Sequence, residues 1–520
     1  MEQTKSGADR WAVGPLDLRL VALLAGAKLA VHLATAGRYG YFRDELYFLD
    51  CGRHLDWGYV DTAPAIAVYA KLALLLGGSL PVLRTIAALA GAARVILTMA
   101  LAREMGGGRF AQALAGLCAL AAPIYLGMDS ILTMNGFESL FWMGCVFFVI
   151  RIVRTGNSRL WLWFGVLAGL GIENKHSMLL FGAAFVIALL LTRERRELAS
   201  PWIWIGGGIA LLLFLPNILW QVRHGFPTIE DLQNVKRMGK NVVLSPVAFI
   251  GQQILLLHPL LFPIWLAGLV SFLAGRGSRL RVLGWTYLVL LAVMIAAKAK
   301  NYYLAPIYPM LFASGAVAID GWLERRAWSR GRIWPKAAVA SYVVAAGAIL
   351  APAILPFFPP EKLLAYQRWI HLAPPRTEVR HEGPLDQRLG DQFGWEELVA
   401  DVARIYKSLP AEERARTGIF ASNYGEAGAL NLFGPEYGLP PPICAHQNHY
   451  FWGPPKVEPE NLIWLQWGRR GVEDHCLSVE KAGEHFHPWG MAEENRPIYM
   501  CRGLRHTIAE YWTRDFKHWN

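Results

Sequence analysis

Long apolar runs separated by short polar loops dominate the first 356 residues of the chain. A helix needs about 20 apolar residues to cross the hydrocarbon core of a bilayer. The runs of suitable length lie near residues 17–36, 66–80, 82–102, 110–128, 133–152, 160–173, 177–192, 201–221, 247–273, 281–298, 302–320 and 335–356. The run at 66–80 follows Pro64 and contains Lys71, so we interpret it as a short helix on the membrane surface. The pattern therefore predicts a mainly α, polytopic transmembrane domain with about eleven spans.

Basic residues concentrate in every second loop between these runs. The basic loops lie near residues 1–16, 103–109, 151–159, 193–196, 276–281 and 325–336. Because Lys and Arg are retained on the cytoplasmic side, these loops are expected to face the cytoplasm. The loop at 37–65 and everything after residue 357 then face outward. We predict a multi-pass protein of the inner (plasma) membrane with a cytoplasmic N-terminus.

The character of the chain changes after residue 357, where it becomes polar and rich in proline. Helical periodicity appears in "GWEELVADVARIYKSLP", and short strand-like runs follow in "TGIFASNYG" and "NLIWLQWG". This order is typical of a small α/β module. The sequence therefore predicts a transmembrane domain over residues 1–356 and a soluble, extracytoplasmic α/β domain over residues 357–520.

Composition narrows the class of protein. The mean hydropathy is +0.28, and 54% of the residues are hydrophobic against 18% charged, which is too apolar for an ordinary soluble domain of this length. The net charge of +11 is spread over short loops, which favours anionic lipid headgroups and argues against nucleic acid as the partner. The six cysteines form no CxxC pair, which argues against a cysteine-based zinc site, and a disulfide between Cys476 and Cys501 is left open.

Asp44 and Glu45 follow the first apolar run directly, in the acidic and aromatic stretch "YGYFRDELYFLDCGRHLDWGYVDTAPA". Ionised groups at the membrane boundary commonly mark a functional cavity, and a carboxylate there is suited to act as general base. The alternative is a solvated loop in which these acids pair with Arg43 and Arg53.

The other outward loops also carry polar side chains. Asp129, Asn135 and Glu138 are candidates for an acceptor-binding or second acidic group. The candidates for binding a donor phosphate are Lys175, His176, Lys300, Tyr302 and Tyr303. Lysine binds phosphate as a point charge, and tyrosine hydroxyls donate hydrogen bonds to its oxygens. The alternative is that these residues only anchor the helices at the interface.

Four histidines of the tail lie at metal-like spacings, His446 with His449 and His485 with His487. No third ligand at a fixed spacing accompanies either pair, so structural roles are favoured over a metal site.

The residues of the membrane half resemble a known family. The stretch "YFRDELYFLDCGRHLDWGYVDTAP", followed by "TMNGFESLFW", "NKHSMLLF" and "KNYYLAPIYPMLFASGA", resembles the bacterial branch of the protein O-mannosyltransferase and aminoarabinose (lipid A) transferase superfamily. The resemblance covers roughly residues 15–330. It implies a GT-C fold and transfer of a sugar, with inversion, from a polyprenyl-phosphate donor to a protein, lipid or glycan acceptor at the outer face of the membrane.

The resemblance also implies roles for individual residues. Asp44 matches the Asp that the family uses at the start of its first exoplasmic loop, which implies the role of general base, and Glu45 completes the Asp-Glu pair. The position of the family's second acid reads Asn135, so Asp129 or Glu138 would have to serve. Lys175, Lys300, Tyr302 and Tyr303 lie where family members contact the donor phosphate. The cofactor is unknown, with a divalent metal ion as an open alternative because only some relatives use one.

Other classes of function remain as alternatives. One is a membrane transporter, and another is a non-enzymatic partner in the assembly of lipid or cell-envelope glycans. No twofold repeat is visible, and the polar groups gather on one face, which favours surface chemistry over a path across the bilayer. An oligosaccharide ligase or a phosphotransferase with a similar donor is a second enzymatic alternative.

Overall fold

The computed structural model describes residues 11–274, 279–326, 331–373, 376, 378–379 and 382–519. The basic positions Lys5, Arg10, Arg276 and Arg330 of the predicted cytoplasmic loops lie outside these residues. The chain divides into two compact units. We call one the helical unit, which comprises residues 1–36, 81–219 and 243–357, and the other the mixed unit, which comprises 37–80, 220–242 and 358–520.

Each predicted apolar run is largely helical, but the runs at 110–128 and 247–273 are each divided between successive helices. Three short α-helices before residue 354 belong to the mixed unit and are given below. The other α-helices up to that residue are Leu18–Leu33, Leu80–Glu104, Arg109–Ala121, Pro123–Met128, Met134–Thr155, Trp161–Asn174, Met178–Leu191, Pro201–Arg223, Pro246–Leu256, Phe262–Ala274, Arg281–Ala296, Tyr308–Arg325 and Trp334–Ile354. Short 3₁₀ helices occupy Ser158–Leu160, Arg193–Ala199, Pro259–Leu261 and Asn301–Ile307. A continuous apolar core joins the helices from Leu80–Glu104 onward, and Leu18–Leu33 packs in a second cluster that contains Leu24, Val95 and Met99.

Five helices within the described residues are long and apolar enough to cross a membrane. They are Leu80–Glu104, Met134–Thr155, Pro201–Arg223, Asn301–Arg325 and Trp334–Ile354, and a bent pair adds a sixth if it is one span. Four shorter apolar helices are Ala65–Leu75, Arg109–Ala121, Met178–Leu191 and Arg281–Ala296. The total of about eleven spans therefore stays a prediction, while the multi-pass character agrees with the apolar helices that the structure contains.

The apolar run at 247–273 is not one continuous helix, contrary to the prediction. It forms Pro246–Leu256 and Pro259–Ala274, which meet at an angle of 91°. His258 adopts a positive φ of 81° at the break and is followed by Pro259, which has no N–H to donate. The His258 ring contacts the carbonyl of Ala346 and accepts from the backbone N–H of Leu260, at 3.1 Å each. A hydropathy profile does not reveal this break because the residues on both sides are apolar.

The mixed unit combines helices with one sheet. Its helices are Arg43–Arg53, Ala65–Leu75, Pro227–Arg237, Pro360–Trp369, Gln387–Gly390, Trp395–Ser408, Ala411–Arg414, Tyr424–Tyr437, His449–Trp452, Arg469–Glu473 and Ile508–Arg514, with a 3₁₀ turn at Ala492–Glu494. The sheet contains β1 (Thr417–Phe420), β2 (Asn461–Leu465), β3 (Cys476–Glu484) and β4 (Pro497–Leu504) in the order β1-β2-β4-β3. β1 and β2 are parallel, and the other pairs are antiparallel.

The predicted helix over residues 394–410 and the strands β1 and β2 are confirmed. β3 and β4 were not recognised, since β3 exposes most of its residues and so lacks the alternation of a half-buried strand. Cys476 of β3 and Cys501 of β4 form a disulfide, with a Cα–Cα distance of 5.6 Å. The pairing that the sequence left open is therefore present.

The helix Arg43–Arg53 belongs to the mixed unit because it packs on the helix Tyr424–Tyr437. Leu46 is fully buried in the core that also contains Trp395 and Leu430. Gly428 makes the close approach possible, since a Cβ there would lie 2.7 Å from the Leu46 carbonyl carbon. The domain boundary predicted at residue 356 stays a prediction, and the mixed unit includes residues 37–80 and 220–242 besides 358–520.

Candidate active site

Asp44 lies in the first turn of the helix Arg43–Arg53 and is half-buried. Its Oδ1 accepts a hydrogen bond of 2.9 Å from the hydroxyl of Tyr424. Within the described residues Oδ2 has no hydrogen-bond partner. One oxygen of Asp44 is thus held in place and the other is available to take a proton.

Glu45 has a different environment from its neighbour. It is fully buried, and its Oε2 accepts the backbone N–H of Phe42 at 2.8 Å, where the helix begins. This contact satisfies an N–H group that has no partner within the helix. The side chain therefore stabilises the start of the helix that carries Asp44.

Two tyrosine rings pack against each other next to Asp44. The rings of Tyr47 and Tyr424 are 4.8 Å apart, and the guanidinium of Arg43 lies 5.5 Å from the Tyr424 ring centroid. Burial raises the pKa of both tyrosines well above the ordinary value, so both hydroxyls remain proton donors. Tyr47 donates to Oδ1 of Asp61 at 2.9 Å. Burial, and then the nearby charge of Asp231, raise the pKa of Asp61 to about 7.

The other acids of the opening stretch are engaged elsewhere. Asp50 pairs with Arg53 at 2.6 Å and accepts from Asn431 at 2.8 Å. Asp56 accepts the indole N–H of Trp220 at 2.8 Å. The alternative in which Arg53 neutralises Asp44 is therefore not the arrangement in the structure.

In the helical unit, Lys175 is the centre of a second polar group. Its ammonium donates to Asn135 at 2.7 Å and to Glu138 at 3.0 Å. It also lies 4.3 Å from the ring centroid of Tyr303 and 5.9 Å from that of Tyr302. We call these five residues the Lys175 cluster. Candidates predicted from three separate loops meet here, and Glu138 also accepts a hydrogen bond from Ser177.

Asp129 is enclosed by cations instead of facing an open site. Arg94 donates to both carboxylate oxygens at 2.9 and 2.7 Å, and Lys28 lies 2.8 Å from Oδ2. All three side chains are almost completely buried. A carboxylate held by two cations binds a proton weakly, so this geometry suits a structural role. Lys28 and Arg94 were missed, although a charged residue inside an apolar helix is itself a signal.

Two remaining candidates have sparser surroundings. The ring of His176 lies 5.9 Å from that of Phe214, and its side chain is hydrogen-bonded to Asn217. Lys300 is half-buried and immediately precedes the 3₁₀ helix Asn301–Ile307. Their roles at a donor phosphate stay predictions.

The four histidines of the tail are in contact with different partners. His446 accepts the backbone N–H of Tyr424 at 3.1 Å, His449 lies 3.2 Å from Asp50, and His485 lies 2.9 Å from Asp401. His487 accepts the backbone N–H of Trp489 at 3.3 Å. Among the residues that the structure describes, no three His, Cys, Asp or Glu side chains are grouped so that they could hold a metal ion. We therefore derive no step through a metal.

Comparison with solved structures decides the fold. The crystal structures of ArnT from Cupriavidus metallidurans, bound to undecaprenyl phosphate and in the apo state, match 93% of this chain and 98% of theirs. Their TM-scores are 0.58 and 0.57, and their sequence identities are 15% and 16%. The chain has the GT-C glycosyltransferase fold. The fold that the family resemblance implied is thereby confirmed.

Sequence comparisons agree with the GT-C fold. Residues 61–220 match the family model described as dolichyl-phosphate-mannose-protein mannosyltransferase, which is 160 of the 520 residues. Lipid A galacturonosyltransferase RgtD from Rhizobium johnstonii is 24% identical over 300 residues, which are 56% of this chain. The alignment spans 62% of that relative, so less than two thirds of its length is matched.

Proposed function

We propose that this GT-C protein is an integral membrane glycosyltransferase that moves a sugar from a polyprenyl-phosphate donor to an acceptor at the outer face of the inner membrane. The GT-C fold supports the reaction class, and the similarity to ArnT bound to undecaprenyl phosphate supports the donor class. The similarity to a lipid A galacturonosyltransferase favours a lipid acceptor. The arrangement of Asp44, with one oxygen held by Tyr424 and the other open, carries the proposal.

Asp44 acts as the general base in this proposal. Its open oxygen takes the proton from an acceptor hydroxyl or amine, and the acceptor atom attacks the anomeric carbon of the donor sugar. The bond from that carbon to the phosphate oxygen breaks, and its electron pair leaves with the lipid phosphate. Attack from the face opposite the phosphate inverts the anomeric configuration. The phosphate leaves as a stable anion and needs no strong acid.

Tyr424 and Glu45 are positioning residues in this scheme. The Tyr424 hydroxyl fixes the rotamer of Asp44, while Glu45 holds the first turn of the helix on which Asp44 lies. A base must be within hydrogen-bond reach of the proton it removes, so an error of 1 Å in its position is costly. We therefore assign proton transfer to Asp44 and the support of its helix turn to Glu45.

The Lys175 cluster is proposed to bind the donor phosphate. The Lys175 ammonium is neutralised by Glu138 and is flanked by the rings of Tyr302 and Tyr303. A phosphate would take the place of Glu138 or Asn135 as a partner of this ammonium, and the tyrosine hydroxyls and Lys300 would donate to its remaining oxygens. Glu138 would then balance the charge of the cluster when no donor is bound.

The decisive experiment compares Asp44→Asn with wild type in phospholipid nanodiscs. The donor is undecaprenyl phosphate carrying radiolabelled galacturonic acid, and the acceptor is lipid A. We expect D44N to lose at least about 100-fold in kcat with unchanged donor binding, which is the size of a general-base contribution. Asp474→Asn is the matched control, since Asp474 is an exposed acid of the same unit.

Two outcomes contradict the proposal. Retention by D44N of more than half of the wild-type rate would exclude Asp44 as the base. Failure of the wild type to transfer galacturonic acid, mannose or 4-amino-4-deoxyarabinose from the undecaprenyl phosphate donors would exclude the donor class.

A further inference from the structure

The mixed unit contains a cavity of about 350 Å³ at the carboxyl ends of its parallel strands. β1 ends at Phe420, β2 ends at Leu465, and Ile443 pairs in parallel with Phe420. The residues that follow these positions, among them Ser422, His446 and Gln466, line the cavity. In open α/β sheets, ligands bind in the crevice outside the carboxyl ends of parallel strands. The location is thus one where α/β folds commonly bind small molecules.

One wall of the cavity is aromatic. The ring of Trp464 packs on Phe420 at 4.6 Å and on Phe516 at 5.8 Å, and all three residues line the cavity. The indole N–H of Trp464 is buried and, within the described residues, has no hydrogen-bond partner. A buried donor without a partner costs free energy unless water or a ligand accepts from it. This wall therefore offers apolar contact to a ligand.

The rest of the lining mixes hydrogen-bond donors and acceptors. Gln466, Asp515 and His518 are half-buried or exposed at the cavity and together offer both kinds of group. Burial, and then the charge of Lys240, lower the pKa of His518, so its imidazole is neutral near pH 7. A neutral imidazole is at once a donor and an acceptor.

The charge of the lining argues against a phosphate. Lys517 contributes its cation, but its ammonium lies 2.9 Å from both carboxylate oxygens of Glu230 and 3.8 Å from the ring centroid of Trp519. Asp515 contributes a negative charge to the same lining. A bound anion would face the carboxylate of Asp515 and a Lys517 ammonium that is already neutralised, so a neutral ligand is favoured.

The geometry points to this cavity as a binding site for a neutral pyranose ring of a glycan. The C–H face of a pyranose packs on aromatic side chains, and its hydroxyls act as donors and acceptors toward groups such as Gln466, Asp515 and His518. The volume is near the lower end of small-molecule sites, which start at about 300 Å³, as expected for one or two sugar units. The site goes beyond the proposed transfer reaction, because binding there requires neither the donor nor Asp44.

The cavity also shares a residue with the surroundings of Asp44. His446 lines the cavity, its ring stacks on that of Tyr424 at 5.0 Å, and Tyr424 donates to Asp44. A glycan bound in the cavity would therefore be separated by His446 from the tyrosine that positions the proposed base.

Binding is measured by isothermal titration of the full-length protein in phospholipid nanodiscs, since maltoside detergents carry sugars. The probes are methyl α-D-mannopyranoside, methyl α-D-galactopyranoside and N-acetylglucosamine, with inorganic phosphate and adenosine as comparators, each to roughly 50 mM so that a millimolar Kd is covered. We expect at least one pyranose to bind. The double variant Q466A/H518A should bind that sugar at least about tenfold more weakly, which corresponds to about 1.4 kcal/mol.

Controls separate this site from the active site and from misfolding. His506→Ala removes an exposed imidazole elsewhere in the mixed unit and should leave sugar binding unchanged. D44N should bind the sugar as wild type does, so loss of transfer and loss of cavity binding can be told apart. The inference is overturned if no pyranose binds, if Q466A/H518A binds equally well with an unchanged melting temperature, or if phosphate or adenosine binds here in preference to sugars.

Discussion

The Tyr424 hydroxyl donates a 2.9 Å hydrogen bond to Asp44, a residue 380 positions earlier in the chain. The bond connects the helix that follows β1 with the helix that follows the first apolar run. It makes the geometry of the proposed base depend on the C-terminal part of the chain. A segment beyond residue 357 is thereby in direct contact with an acidic side chain proposed for catalysis.

Removal of the Tyr424 hydroxyl tests this role. Tyr424→Phe keeps the ring that packs on Tyr47 and stacks on His446 but loses the bond to Asp44. A hydrogen bond to a charged group contributes about 1.5–3 kcal/mol, so we expect kcat to fall by about 10- to 100-fold with little change in donor KM. Tyr450→Phe, which alters another tyrosine of the mixed unit, is the control and should be near wild type. A Y424F enzyme with wild-type kcat would remove Tyr424 from the scheme.

The Lys175 cluster predicts opposite effects for its two charged members. Lys175→Gln should raise the donor KM by about tenfold or more, because a charge-assisted contact to the phosphate is lost. Glu138→Gln should leave the donor KM equal or lower, since it releases the ammonium from its carboxylate partner. Steady-state kinetics with the undecaprenyl phosphate donor measure both.

The double variant E138Q/K175Q shows whether an unpaired buried charge, through misfolding, causes the effect of K175Q. It removes both charges, so no buried carboxylate is left without a partner. Lys362→Gln, at an exposed lysine, is the surface control. A large fall in kcat for E138Q at an unchanged donor KM would instead identify Glu138 as the second acid.

Asp129 is expected to matter for stability more than for chemistry. Asp129→Asn would leave Lys28 and Arg94 buried without their counter-ion, at a cost of about 3–5 kcal/mol. Tryptophan fluorescence during heating measures the effect, and Gly91→Ala should act in the same direction because its Cβ would lie 2.4 Å from Asp129 Oδ2. Glu324→Gln, in an exposed ion pair with Lys336, should change stability by less than about 1 kcal/mol. An unchanged melting temperature with lost transfer would return Asp129 to the catalytic candidates.

Asp61 makes stability depend on pH. Its pKa is about 7 in the folded protein against an ordinary value of 3.8, so the folded state holds a proton that the unfolded state has already released between these values. The stability from this proton is fully present below about pH 4 and is lost as the pH rises to about 7. Asp61→Asn does not titrate, so its melting temperature relative to wild type should rise from about pH 5 to pH 7 and then level off. Asp474→Asn should show no such trend, and a flat difference for D61N would contradict the pKa.

The disulfide connects stability with the predicted outward location of the tail. Cys476 and Cys501 are 25 residues apart. Closing a loop of this length lowers the conformational entropy of the unfolded chain and so raises the free energy of unfolding by about 3 kcal/mol. The variant C476S/C501S should therefore unfold at a lower temperature. When free thiols are blocked during a denaturing lysis, Cys476 and Cys501 should escape the block and react with a maleimide only after reduction. Denaturation is needed because both side chains are buried in the folded protein. Blocking of both cysteines before reduction would contradict the pairing and, with it, the oxidising exterior predicted for the tail.

The local pattern of the chain was sufficient for most helices. Apolar runs such as 133–152 and the amphipathic 394–410 became helices because burial in lipid or against one core imposes a period that is visible in the sequence. β1 and β2 were recognisable for a related reason, since buried strands concentrate apolar residues. The Asp-Glu pair at Asp44 and Glu45 was visible as a candidate because charge beside an apolar run is unusual.

The sequence by itself therefore determined which segments are helical, which are apolar, and where ionisable groups interrupt them. Only the tertiary structure decided which of those groups are partners: Tyr424 for Asp44, Lys28 and Arg94 for Asp129, and Glu138 for Lys175. It also decided the break at His258 and the pairing of Cys476 with Cys501. Periodicity reports how one segment meets its surroundings, whereas the roles of two carboxylates with the same intrinsic chemistry depend on which distant side chains the packing brings against them.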